Sequence, residues 1–265
     1  MPSSLPLKPS PPERQDILPL TFRRAASLTL ACILPFAAGC RPASDPPAQT
    51  GGIRGSVTVA APLPRPTPSQ FQQDPACASL KDRRQVTLED RPLARSVPPV
   101  FLWISSGLPS RPAPSTRAVL TQFQCEFQPQ IVGVVPNQPV DFTNNDPSLA
   151  QIRVSPAIAG NPSLSLTIPP EKPGQVYSFP HPELLIPVTS PLHPWMKAWI
   201  NVVPDPHFTL SGPDGHFYLN HLPPGTYTLS ALRPGFPIQT QSVTIRANAT
   251  TPATFTFSKS PPGKK

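Results

Sequence analysis

The apolar positions of this chain fall in short runs separated by prolines and small polar residues. "IRGSVTVA" at 53–60 alternates as a half-buried strand does. "APLPRPTPSQ" then breaks the ladder, because proline has no N–H to donate. "PPVFLWIS" (98–105) is a continuous apolar run, the pattern of a buried central strand. "LTQFQCEFQP" (120–129) alternates again, with Leu120, Gln122 and Gln124 on one side and Phe123, Cys125 and Phe127 on the other. "QIVGVVPNQPVDFTNND" (130–146) predicts strand, turn, strand, and further strands are expected over 151–155, 164–168, 175–179, 184–188 and 196–203. No segment sustains a helical period. A second unit is expected from Asp205, with turn signals at Pro213-Asp214-Gly215 and Pro223-Pro224-Gly225, each followed by a short strand. "QSVTIRANATTPATFTF" adds strands on either side of a turn at Asn248-Ala249-Thr250. The pattern is that of an all-β chain.

Composition sharpens this picture. The 45 Pro and 13 Gly among 265 residues approach the range of disordered chains, yet a hydrophobic content of 38% in periodic runs supplies a core. Small β domains with proline-rich connections satisfy both facts. The net charge is +8 and scattered, with Lys81, Arg83 and Arg84 the tightest group and Lys264-Lys265 at the end of a tail (260–265) expected to be disordered. A nucleic-acid reader would concentrate such charge in a stripe with stacking groups, so no nucleic-acid partner is expected. A solvated basic surface facing anionic lipid fits better.

The N-terminus reads as an address. In "RRAASLTLACILPFAAGC" (23–40), Arg23 and Arg24 precede an apolar stretch, Ala25 to Phe36, too short to span a bilayer. Ala37-Ala38-Gly39-Cys40 resembles the lipobox of bacterial lipoproteins. That resemblance implies a signal peptide over 1–39, acylation of Cys40 as the new N-terminus, and a membrane anchor followed by a flexible tether over 40–52. Arg41, rather than Asp, after the Cys implies the outer membrane, with the protein facing the periplasm. Cleavage removes four basic and two acidic residues, which leaves +6. Cys77 and Cys125 are then the remaining cysteines, an even pair in an oxidising envelope, and a disulfide is expected between them.

Two stretches carry further resemblances. "FLWIS", "CEFQPQIVGVVPNQPVDFTNNDP" and "HPWMKAWINV" are similar to segments of plastocyanin-like cupredoxins of bacterial envelopes. The resemblance covers 53–204 and implies a Greek-key β-sandwich with a copper site made by a His, then a Cys, a His and a Met on one loop. The loop His falls on His193 and the Met on Met196, which are remnant metal ligands. The Cys falls on Ser190, the first His on Ala150, and a second frequent His on Arg153. A hydroxyl is a poor partner for Cu(I), and alanine donates nothing. His181, His207, His216 and His221 have no ligand spacing with His193. Copper is therefore not expected as a cofactor, and Trp195 and Met196 are expected to plug the sandwich end.

"GPDGHFYLNHLPPGTYTLSA", within 205–259, resembles the carboxypeptidase regulatory-like domain, a small prealbumin-like β-sandwich. There Phe217 and Leu219 point inward, Tyr227 packs the core and Gly225 supplies a backbone angle closed to other residues. "GGIRGSVTV" is also a plausible first strand of this unit, which would make it discontinuous.

Catalytic signatures are lacking: there is no G-x-S-x-G, no H-E-x-x-H and no P-loop, and Glu89-Asp90 sit in a charged loop. The expected function is non-catalytic: an envelope protein that contacts another protein or a glycan through its β-sandwiches. The alternative is a copper-handling or electron-transfer protein using His193, Met196 and further ligands that the sequence does not identify.

Overall fold

The computed structural model describes residues 49–60, 74–78, 99–108 and 114–258. The expected signal segment, Cys40, most of the expected tether, the Lys81–Arg84 group, Glu89, Asp90 and the expected tail lie outside the described residues. The chain opens with β1 (Gly51–Val59) and β2 (Phe101–Ser106). It continues through β3 (Ala118–Phe123), β4 (Glu126–Gln128), β5 (Ile131–Val134), β6 (Val140–Asn144), β7 (Ala150–Val154), β8 (Leu164–Ile168), β9 (Gln175–Tyr177), β10 (Glu183–Thr189) and β11 (Lys197–Val202). It closes with β12 (Phe208–Leu210), β13 (His216–Leu222), β14 (Gly225–Leu232), β15 (Gln239–Ile245) and β16 (Thr250–Phe257). One helical turn lies at 75–78 among the described residues. Among the described residues, no helix is long and apolar enough to cross a membrane.

The strands form two sandwiches. In the first, a sheet ordered β4-β3-β6-β9 packs on one ordered β5-β11-β10-β7-β8. Their inward residues, among them Leu120, Phe142, Ile152, Ile186, Met196 and Ile200, make one buried cluster. In the second, β13-β1-β16 packs on β12-β2-β14-β15, around Ile53, Leu102, Phe217, Leu229 and Phe255. Phe217, Leu219 and Tyr227 are buried as the alternation predicts.

The second sandwich is discontinuous. β1 runs antiparallel to β13 and parallel to β16, and β2 lies between β12 and β14. The unit expected over 53–204 therefore loses its first strands to the C-terminal unit expected over 205–259, and the first sandwich is an insertion between β2 and β12. "FLWIS" is a central strand, as its apolar run implies, but of the second sandwich. β1 also begins at Gly51, inside the expected tether, because Gly51 pairs with Leu222 and Gly52 with Thr250.

The run Phe101–Ile104 is continuous because this part of β2 is buried on both faces; the strand reaches solvent only at Ser105 and Ser106. Leu102 and Ile104 enter the second core, while Phe101 and Trp103 join Ile131, Val203 and Leu232 in a third cluster between the sandwiches. Leu184, Leu185, Trp199, Phe208 and Leu210 pack against that cluster. Gly133 on β5 permits the approach, since a Cβ there would stand 2.5 Å from the Phe101 ring and 2.7 Å from that of Phe208. A bulge in β10 turns Leu185 toward the joint at φ 57°. The buried Asn201 carboxamide oxygen accepts the Leu185 N–H at 2.9 Å and closes the hydrogen bond that the bulge opens.

Two local expectations change. "LTQFQCEFQP" is a hairpin rather than one strand: Phe123 pairs with Glu126 across a two-residue turn, Gln124 and Cys125, with φ 53° and 54°. The inward face switches parity there, so Phe123 is exposed while Phe127 is buried. Gly225 lies outside the left-handed region; its lack of a side chain instead makes room for the Tyr227 hydroxyl, which a Cβ would meet at 2.8 Å.

A fragment beginning at Asp205 lacks β1 and β2 and should show no cooperative thermal transition by circular dichroism. The full chain should show one. A folded 205–259 fragment would contradict the shared-strand topology.

Candidate functional site

The loop between β10 and β11, Ser190–Met196, meets two other segments at one end of the first sandwich. A tight turn sets its shape: the Met196 N–H donates to the His193 carbonyl at 2.8 Å, and the His193 N–H donates to Ser190 Oγ at 3.1 Å. Ser190 Oγ thus serves the loop's own backbone. Met196 is inside the first core, where Ala150, on β7, also sits. Trp195 packs against the same core and its Nε1–H donates to the Cys125 carbonyl at 3.0 Å. Arg153 is exposed, one of the outward positions that alternate with buried Ile152 and Val154, and it pairs with Thr189 just before the loop.

Cys125 is held from both sides. It is bonded to Cys77 at an S–S distance of 2.03 Å, the disulfide that the cysteine count implies. A sequence separation of 48 corresponds to about 4 kcal/mol of unfolded-state constraint in the chain-entropy model. On the other side, the Asp146 carboxylate accepts the N–H groups of Gln124 and Cys125 at 2.6 and 2.8 Å. Asp146 in turn donates its own N–H to Asn144 Oδ1 at 3.0 Å. The "NND" turn therefore stabilises a left-handed Gln-Cys turn, a backbone shape that neither residue favours on its own.

Asp74 is the residue that sequence reasoning missed. It caps the helical turn at 75–78: Oδ1 accepts the N–H groups of Ala76 and Cys77 at 2.8 and 3.4 Å, with Pro75 at the first helical position. "DPAC" carries that signal. What the sequence does not carry is the second contact, His193 Nε2 to Asp74 Oδ2 at 2.9 Å. His193 is 2% exposed and Asp74 27%. The Cys77 sulfur lies 3.7 Å from the same nitrogen, and the rings of His193 and Trp195 are 5.0 Å apart. Nδ1 of His193 is buried and has no partner among the described residues.

Burial raises the Asp74 carboxyl, but the hydrogen bonds from His193, Ala76 and Cys77, together with the charge attraction of His193, outweigh it and hold the carboxyl below its ordinary value. The other histidines lie elsewhere. His181 and Asn161 exchange hydrogen bonds at 3.0 and 3.1 Å. His207 Nδ1 is 2.5 Å from Asp205 Oδ1, and His216 and His221 are exposed on β13. Among the described residues, the His, Cys, Asp and Glu side chains that converge are Asp74, Cys77 and His193.

Two measurements check this geometry. If Met196 serves packing, Met196→Leu should cost less than about 1.5 kcal/mol and Met196→Ala about 2–5 kcal/mol in urea denaturation. The lowered Asp74 carboxyl means that its ionised form stabilises the native state. That contribution is full above the ordinary carboxyl range near 4 and is lost as pH falls through the native value. Asparagine still caps a helix. The stability gap between wild type and Asp74→Asn should therefore be widest at neutral pH and close below about pH 4; a gap that stays constant with pH would count against the pair.

Residues 194–258 match the model of the carboxypeptidase regulatory-like domain. No curated protein sequence matches the chain significantly. Among solved structures, amicyanin from Paracoccus versutus is 13% identical with a TM-score of 0.29, over 38% of this chain and 96% of that one. A purple cupredoxin from Nitrosopumilus maritimus is 13% identical with a TM-score of 0.27, over 32% and 98%. A copper-containing nitrite reductase from Thermus scotoductus is 18% identical with a TM-score of 0.28, and the match spans 25% of that chain. The chain is similar to cupredoxins in these structural comparisons and to the carboxypeptidase regulatory-like domain over its C-terminal quarter.

Proposed function

We propose that this protein is a non-catalytic, lipid-anchored envelope protein that binds another protein or a glycan through its β-sandwiches, and that its cupredoxin-like loop holds no copper. The contact that carries the reading is His193 Nε2 against Asp74 Oδ2 at 2.9 Å. The imidazole nitrogen is taken by a carboxylate that caps a neighbouring segment, so the residue acts as a clasp. The remaining donor positions support the same reading. Ser190 has no thiolate and its Oγ accepts a backbone N–H, and Ala150 is a core methyl. Met196 alone is a weak thioether. A blue-copper centre needs a thiolate and two imidazoles in a trigonal set, and these residues do not fit it.

Anchoring rests on the lipobox-like "AAGC" that ends at Cys40. An acyl chain contributes about 0.8 kcal/mol per buried CH2, which makes a diacylated Cys a stable tether. The basic surface adds attraction to anionic headgroups. Placement on the outer membrane, facing the periplasm, follows from Arg41. Binding would then use loops and sheet edges such as β8 and β15, which lie at the ends of their sheets.

Copper titration of the disulfide-bonded protein, followed by visible absorbance and EPR, should show no stoichiometric site and no intense thiolate-to-copper band. Tight stoichiometric copper would instead establish the copper-handling alternative. For the anchor, wild type expressed in a bacterial host should incorporate labelled fatty acid and fractionate with membranes. Cys40→Ala should do neither; membrane retention of an unlabelled wild type would defeat the lipoprotein reading.

A further inference from the structure

We propose that the same corner, with its disulfide open, is a Zn2+ site made by Cys77, Cys125, His193 and Asp74. In the disulfide form, a carboxylate oxygen of Asp74, Cys77 Sγ and a ring nitrogen of His193 all lie within 4.8 Å of one another. Nε2 is 2.9 Å from Asp74 Oδ2 and 3.7 Å from Cys77 Sγ. Cys125 Sγ is bonded to Cys77 Sγ and shares the corner. Two thiolates, an imidazole and a carboxylate are the donor types and number that suit tetrahedral zinc. The site goes beyond the copper reading above, which concerns the disulfide form, and it uses neither Ser190 nor Met196.

Its ligands come from three segments whose backbones are already fixed. Asp74 and Cys77 sit at either side of one capped helical turn. Cys125 sits on the hairpin turn clamped by Asp146. His193 sits on the loop closed by Ser190 Oγ. These bonds set the local shape of each segment, and the Asp74–His193 contact joins the helical turn to the loop independently of the S–S bond. Both sulfurs and the imidazole are buried, which keeps competing water off the ion, while the partly exposed Asp74 gives it a way in.

Opening the bond takes two electrons and two protons. A dithiol reductant attacks one sulfur, the other leaves as a thiolate, and the reductant closes to its own disulfide. Zn2+ then binds as the two thiol protons pass to solvent. The disulfide and the metal are alternative states of the same sulfurs, so zinc occupancy reports the thiol redox state of the compartment.

The test uses the full chain with Cys32→Ser and Cys40→Ser, which leaves Cys77 and Cys125 as its cysteines. Half is reduced with a phosphine, which becomes its oxide, and half is left disulfide-bonded. Both are titrated with Co2+ in the absence of oxygen. The reduced protein should take up a single Co2+ with a thiolate charge-transfer band and the intense ligand-field bands of a tetrahedral ion, and Zn2+ should displace it. The disulfide form should show neither band. In the reduced form, His193→Ala and Asp74→Asn should each weaken binding by at least the about 10–100-fold that loss of an outer-shell partner costs. His181→Ala should change nothing. Equal Co2+ uptake by the two forms would overturn the proposal, as would an affinity and spectrum indifferent to His193. A reduced chain that loses its β-sheet circular dichroism and does not regain it with Zn2+ would overturn it as well.

Discussion

The first four residues of strand β2, Phe101–Ile104, cannot meet water on either face, and most of the architecture follows from that. Leu102 and Ile104 complete the core of the second sandwich, while Phe101 and Trp103 seal the joint with the first. Each large side chain kept from water is worth about 1.5–3 kcal/mol, so separating the sandwiches would expose several such residues at once. The first sandwich is therefore packed onto the second as well as inserted into it. Gly133 and the β10 bulge are the local devices that let the two surfaces come close.

The far end of the first sandwich is organised by polar groups that satisfy one another. Asp146 holds the turn that places Cys125, the disulfide brings in Cys77, and Asp74 binds both the start of that helical turn and His193. Each partly buried group is stable there because the next one supplies its partner. The loop keeps the His–Pro–Trp–Met spacing, with its side chains spent on packing and on the clasp.

Strand positions were legible because alternation and proline breaks record burial directly. The apolar run at 98–105 declared a strand buried on both faces, yet it could not say which sandwich buried it, since that depends on pairing between distant segments. "GGIRGSVTV" was open in the same way until its register with β16 decided it. The hairpin at Gln124-Cys125 was hidden because alternation by residue type continues through the turn, while the inward parity flips. No Gly or Asn marks that turn; the Asp146 carboxylate, from the loop between β6 and β7, takes their role. The packing of Trp195 and Met196 at the sandwich end was an expectation of the loop's resemblance, and both side chains pack in or against the first core. Asp74 was not legible, because a local cap is readable from "DPAC" but a pairing across 119 positions is not.

β1 is the middle strand of its sheet, and it runs parallel to β16 over the register from Gly52↔Thr250 to Val59↔Phe257. Tension applied upstream of Gly51 and resisted downstream of Phe257 would pull these neighbours in opposite directions along their length. The inter-strand hydrogen bonds then bear the load together, in shear, where a hairpin pulled from its open end would peel one bond at a time. The insertion between β2 and β12 lies off that line of force, so a chain under tension would keep its clasped loop unloaded while β1 and β16 carry the strain.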